Sequence, residues 1–131
     1  MREILFRGKS KAQGSEWLYG DVLIYENSAQ IWETINNRKH NSVVSLETVG
    51  QSTGLTDKNG KKIFEGDVVK VEGFIEPSFI VIYYNGGFKL KEIGSPELFA
   101  YYITETMVEE ELIEAIGNIH DNPELLKGGE G

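Results

Sequence analysis

The chain has no cysteine among its 131 residues. Disulfides, thiol nucleophiles and thiolate metal sites are therefore excluded. Histidine is nearly as scarce: His40 and His120 are the two, and no local spacing pairs them as ligands. Proline occurs three times against fifteen glycines, a balance that suits a chain with many tight turns. No apolar run approaches the roughly 18 residues that a membrane-spanning helix needs. The opening MREILFRGKSK lacks the long apolar middle of a secretory signal. No Ser sits in a G-x-S-x-G elbow. These absences point to a soluble intracellular protein without membrane, metal or cofactor signatures.

Hydrophobic residues make up 40% of the chain, enough for a core and against disorder. The length fits one domain, 1–131. Within it, 1–48 reads as N-terminal strands and a variable loop, 49–127 as the part carrying the distinctive motifs, and 128–131 as a frayed tail. The net charge of −8 is unevenly spread. Residues 1–91 hold 12 basic and 11 acidic side chains, whereas residues 92–131 hold one lysine and ten acids. An acidic C-terminal third disfavours general nucleic-acid binding, which needs clustered Lys and Arg. It reads as a solvated surface, or alternatively as a patch that docks a basic partner.

Along the chain, REILFRG reads as a strand, and EWLYGDVLIYE as a second, with a bulge expected at Gly20 and Asp21. NSAQ reads as a polar turn, IWETI as a third strand, and Asn36–Asn41 as an exposed loop without core-forming residues. SVVSLETV is a short strand candidate. DVVKVEGF alternates with Val69 and Val71 on one face. SFIVIYYN is a continuous apolar run, which predicts cover on both faces. Asn85–Gly87 marks a hairpin whose return strand turns Phe88 and Leu90 one way and Lys89 and Lys91 the other. Ser95 and Pro96 suit the start of a short helix. Val108–Ile119 reads equally as helix, from the spacing of Leu112, Ala115, Ile116 and Ile119, or as a strand. At least seven short strands with turn signals predict a mostly β domain, barrel or sandwich, with short helical turns.

The richest stretch is STGLTDKNGKKIFEGDVVKV, Ser52–Val71. A phosphate loop of the form G-x-x-x-x-G-K-[ST] does not fit. Five residues separate Gly54 from Gly60, and Lys62 stands where the magnesium-binding hydroxyl belongs. A calcium loop does not fit either. Counted from Asp57, the glycine comes two places early and the twelfth position is Val68. A turn at DKNG does fit, since Asn and Gly accept left-handed backbone angles. EGD, Glu65–Asp67, is a second tight feature. Trp17, Tyr19, Trp32, Tyr83, Tyr84 and Phe88 are candidates for stacking bases on an exposed sheet, although strand aromatics more often fill a core.

Five segments occur in order: REILFRG, EWLYGD, QSTGLTDKNGKKIFEGDVVKV, YYNGGFKL and EAIGNIHDNPELL. Together they resemble the YopX family of small bacteriophage and prophage proteins. Gln51–Val71 and Ile116–Leu126 match its pattern nearly position by position. Residues 25–49 and 92–112 fall outside its distinctive motifs. The resemblance implies a mostly β fold with a small SH3-like barrel that carries both motifs, and it favours a strand for ELIEAIGNI. It implies a phage setting in a Gram-positive host, and hence a cytoplasmic location. It transfers no catalytic residue and no cofactor.

The leading expectation is a non-enzymatic module that binds a host or phage protein. The alternative is a nucleic-acid-binding regulator of phage genes, and open sheet edges also allow a homo-oligomer. The candidate motif polar residues are Asp57, Asn59, Lys61, Glu65, Asp67, Asn118, His120 and Asn122. They either form a binding site or brace turns. A catalytic reading requires the central loop to lie near the C-terminal turn.

Overall fold

Asn36 and Asn37 both take positive φ, 51° and 64°. Two such residues in succession form a tight turn whose twist matches antiparallel strands. The segment expected as an exposed loop is therefore a two-residue turn followed by a strand. This holds in the computed structural model of the chain, which describes residues 4–12, 15–73, 78–94 and 100–127. The chain divides into two units, Met1–Ser52 and Thr53–Gly131.

The first unit is built on strands β1 (Phe6–Lys9), β2 (Trp17–Tyr25), β3 (Ser28–Ile35) and β4 (Arg38–Val44), followed by a 3-10 turn at Leu46–Thr48. The start of β5 (Gly50–Thr56) pairs with β1, giving the order β4-β3-β2-β1-β5. NSAQ is not a turn. The reversal lies at Glu26 and Asn27, and Ser28–Gln30 already belong to β3. Ala29 there is fully buried and forms a small core with Ile31 and Val44, against which Phe6, Leu18, Val22 and Val49 pack. The sequence hides this because β4 is an edge strand. Its residues 38–41 are all exposed, so their polarity carries no alternation. The expected bulge falls where one ladder gives way to another: pairing with β1 ends at Gly20, pairing with β3 starts at Asp21, and each ladder is regular in itself. Glycine occupies position 20 for a different reason: a Cβ there would collide with the Trp32 carbonyl oxygen.

In the second unit the DKNG turn joins β5 to β6 (Lys62–Phe64), and the EGD turn leads into β7 (Asp67–Val71). Strands β8 (Phe79–Tyr84), β9 (Gly87–Glu92), β10 (Ala100–Tyr102) and β11 (Ile113–Asn118) complete an antiparallel sheet in the order β10-β9-β8-β7-β11. Asn85 and Gly86, at φ 50° and 81°, make the hairpin turn. Val69, Val71, Phe79, Val81, Leu90 and Ile113 share one face and form the core with Ile63. The run FIVIYY is not covered on both faces, because Tyr83 and Tyr84 are exposed. The helical reading of Val108–Ile119 fails beyond a short helix, α1 (Glu105–Glu109). The Thr104 hydroxyl caps α1 by accepting the Met107 amide. Glu111 at φ 55° ends the helical path, and Ile113–Asn118 is a strand. The last described element is a 3-10 turn at Pro123–Lys127. The helix start expected at Ser95 and Pro96 and the tail 128–131 lie outside the described residues.

The fold is mostly β with short helical turns, but neither sheet closes into a barrel. In the first unit, the end of β4 returns to β1 through a single bridge, Ser10 to Val44. Two backbone hydrogen bonds flank it, Lys11 N to Val43 O and Ser45 N to Lys9 O. A ladder that short leaves most of the β4 edge open. In the second unit, β10 and β11 are the two sheet edges. Among the described residues, no helix is long and apolar enough to cross a membrane.

Candidate functional site

Strand β11 lies at the edge of its sheet, with β7 on its inner side. The Ala115 amide and the Ile113 carbonyl on this edge strand have partners outside the sheet, both supplied by the DKNG turn. The Ala115 amide donates to Asp57 Oδ2 at 3.0 Å, and the Lys58 amide donates to the Ile113 carbonyl at 2.9 Å. Asp57 Oδ1 accepts two further amides, from Asn59 and Lys61, both at 2.9 Å. One buried carboxylate thus holds its own turn and pins that turn to a strand 58 residues later. Burial alone would raise the Asp57 pKa. The amides of Ala115, Lys61 and Asn59, with the Lys61 charge, outweigh that and hold it below the ordinary value.

The second turn is built the same way. The Asp67 carboxylate, buried, accepts the Phe64 amide at 2.8 Å across Glu65 and Gly66. Gly66 takes φ 93°, a conformation costly for other residues. Its amide donates to the Val81 carbonyl, and its carbonyl accepts the Ile119 amide. Asp67 pairs across the ladder with Asn118, at the far end of β11. Between the two sites β11 carries a bulge, with register shifting between Ala115 and Gly117.

Asn118 organises the third turn. Its Oδ1 accepts the amides of His120 and Asp121 at 3.0 and 2.9 Å, and its Nδ2 donates to Asp121 Oδ2 at 3.1 Å. The Asn122 side chain answers by accepting the Asn118 amide at 3.2 Å. Asn59 and Lys61 are exposed and contribute backbone amides to the first turn; Glu65 is half-buried at the tip of the second.

The eight candidate residues therefore sit at three turns strung along β11, and they do not converge on one point. Ala115 and Asn118 are about 10 Å apart along an extended strand. Two clefts of the second unit lie elsewhere. One, of about 230 Å³, is lined by Leu55, Ile103, Thr104, Glu105, Val108 and Glu109. The other, of about 300 Å³, is lined by Lys58, Lys70, Val71, Glu72, Leu112 and Glu114. None of the eight candidates lines either. Among the described residues, no group of three or more His, Asp or Glu is arranged to hold a metal ion.

Sequence reasoning weighed six strand aromatics as an exposed stacking surface or as core, and favoured the core. Tyr19, Tyr83 and Tyr84 are exposed, which corrects the core reading for these three, while Trp17, Trp32 and Phe88 are half-buried. The available signal was apolar residues at both parities of a strand, as in DVLIY and IVIYY. A strand with one covered face must expose half of such a run.

Fold and turns together define a mostly β protein whose motif side chains stitch an edge strand to its neighbouring turns. A family model described as YopX protein matches residues 5–127, and the chain belongs to that family. Among solved structures it is similar to the crystal structure of protein EF1440 from Enterococcus faecalis. The two are 23% identical, with a TM-score of 0.58, over 96% of this chain and 99% of that one. At that identity the likeness is one of fold. No curated protein matches the chain.

Proposed function

We propose that this is a phage- or prophage-derived accessory protein, a non-enzymatic module that binds a protein partner in the bacterial cytoplasm. The observation that carries this reading is one face of the first unit's sheet. Tyr19, Leu23 and Tyr25 of β2 and Val43 of β4 are 44%, 51%, 70% and 49% exposed there. Leu23, Gln30 and Val43 form one row across β2, β3 and β4, and Asp21, Trp32 and Asn41 form the next. Polar pairs fill the spaces between the apolar groups: Asn41 Nδ2 to Gln30 Oε1 at 3.1 Å, and Lys39 to Asp21 at 3.3 Å. An apolar patch interleaved with polar groups is the usual composition of a protein-docking surface.

The non-enzymatic part is supported by the motif side chains. Asp57, Asp67, Asn118 and Asn122 all accept backbone amides, the work of turn-bracing side chains. The partner reading is tested by affinity capture from lysate of a Gram-positive host, with the wild-type chain and a Leu23→Glu/Tyr25→Ser variant as baits. A partner held by the wild type and lost by a variant of unchanged thermal stability supports it. Equal retention by both baits, or no retained protein, contradicts it.

A further inference from the structure

The second unit's sheet has an outer face, opposite its core. Strand alternation puts Leu90 and Phe88 on the core side, so Lys89 and Lys91 of β9 fall on the other. In the ladder, Lys89 lies between Ile82 of β8 and Tyr102 of β10, with Tyr84 diagonal to it. Lys89 is only 7% exposed, an unusual place for a lysine. Its ammonium lies 4.8 Å from the Tyr102 ring centroid and 5.6 Å from that of Tyr84.

Two ring faces offset part of a positive charge but accept none of its three N–H donors. Among the described residues, no ion pair joins Lys89 to a carboxylate. Meanwhile the two rings stay open to solvent, Tyr84 at 39% and Tyr102 at 71%. Lys91 and Lys70 share this face. Two acids lie beside Lys70: Glu114, which pairs with it across the ladder and whose carboxylate meets Lys58, and Glu72, which lines the same cleft. In a chain of net charge −8, this is a local cationic surface with exposed aromatic flanks.

We propose that the Tyr84–Lys89–Tyr102 cluster is a subsite for single-stranded nucleic acid, with a phosphate on the Lys89 ammonium and bases stacked on the two tyrosines. A purely acidic peptide such as polyglutamate would use the lysines but has no ring to lay on Tyr102, whereas every nucleotide brings a phosphate and a base together. A duplex keeps its bases stacked inside and needs more cations than this face offers. The inference stands apart from the protein-binding face on β2 and β4.

Fluorescence anisotropy of a labelled twelve-residue oligothymidylate tests it on the full chain. With Lys89 and Lys91 neutralising two phosphates, affinity falls on the order of sevenfold between 50 and 200 mM salt. Tyr102→Ala, at an exposed position, weakens binding by about tenfold. Lys89→Met weakens it by a similar factor, while Lys39→Ala, in the first unit, changes it less than about twofold. Circular dichroism checks that each variant is folded, and Tyr102→Ala carries the test if Lys89→Met is not. No binding at 50 mM salt, or an equal loss in Lys39→Ala, overturns the proposal. So does displacement of the oligonucleotide by equimolar polyglutamate, which would mark the face as a site for acidic protein. Since the Leu23→Glu/Tyr25→Ser variant keeps this cluster, its oligonucleotide affinity separates failure here from failure of the protein-binding reading.

Discussion

The backbone amide of Ala115 donates to the carboxylate of Asp57 across 58 residues of chain, at 3.0 Å. The bond ties the DKNG turn to the closing strand at the residue just before the second motif. It explains why an aspartate rather than any other turn former stands at position 57. Only a side chain with two acceptor oxygens can hold Asn59 and Lys61 with one and Ala115 with the other.

Asp57→Asn therefore costs stability. The amide group turns an NH2 toward either the turn or the strand and leaves a backbone donor without an acceptor. The expected loss is about 1–3 kcal/mol, read by urea unfolding at pH 7.

The same residue sets an acid limb. Its pKa is lowered in the folded chain, with burial opposed and outweighed by the amides of Ala115, Lys61 and Asn59. A depressed carboxylate contributes stability that is fully present above its unfolded pKa of about 3.9 and is lost as pH falls through the folded value. Unfolding midpoints measured from pH 7 down to pH 2 should thus fall more steeply below about pH 4 in the wild type than in Asp57→Asn.

Gly117 and Gly87 form a contrasting pair. A Cβ on Gly117 would stand 2.5 Å from Asn122 Oδ1 and 3.0 Å from Leu125 Cδ1, whereas one on Gly87 meets nothing within 4 Å. Gly117→Ala displaces the side chain that holds the Asn118 amide and destabilises by about 1–3 kcal/mol. Gly87→Ala stays within about 0.5 kcal/mol. Thermal unfolding of the two variants side by side checks the difference.

Phe79 anchors the second unit's core at 1% exposure, edge-on to Tyr101 with centroids 5.8 Å apart. Phe79→Ala leaves a cavity worth about 3–5 kcal/mol. Tyr83→Ala, on an exposed ring of the same strand, costs much less. Denaturant midpoints separate them.

Some of this was legible in the sequence and some was not, for physical reasons. The hairpin at Asn85 and Gly86 and the alternation of Val69 with Val71 announce themselves locally, through backbone conformation and side-chain period. The strand Arg38–Val44 does not, because an edge strand with exposed side chains has no apolar period to read. Barrel closure of the motif-bearing part was misjudged because it depends on whether β10 and β11 pair with each other or stay sheet edges, which no local pattern encodes. The motif polar residues were found by spacing, yet their partners are backbone amides such as those of Ala115 and Phe64. Backbone groups are the same at every position, so their use leaves no mark in the sequence.

The claim that these motifs are built to hold backbone is tested most directly by amide hydrogen exchange, followed residue by residue by NMR. The account predicts slow exchange at Asn59, Lys61 and Ala115 in the wild type. In Asp57→Asn protection should fall selectively at these amides, while Phe64, held by Asp67, keeps its own. Unchanged protection at Ala115 in Asp57→Asn would contradict it.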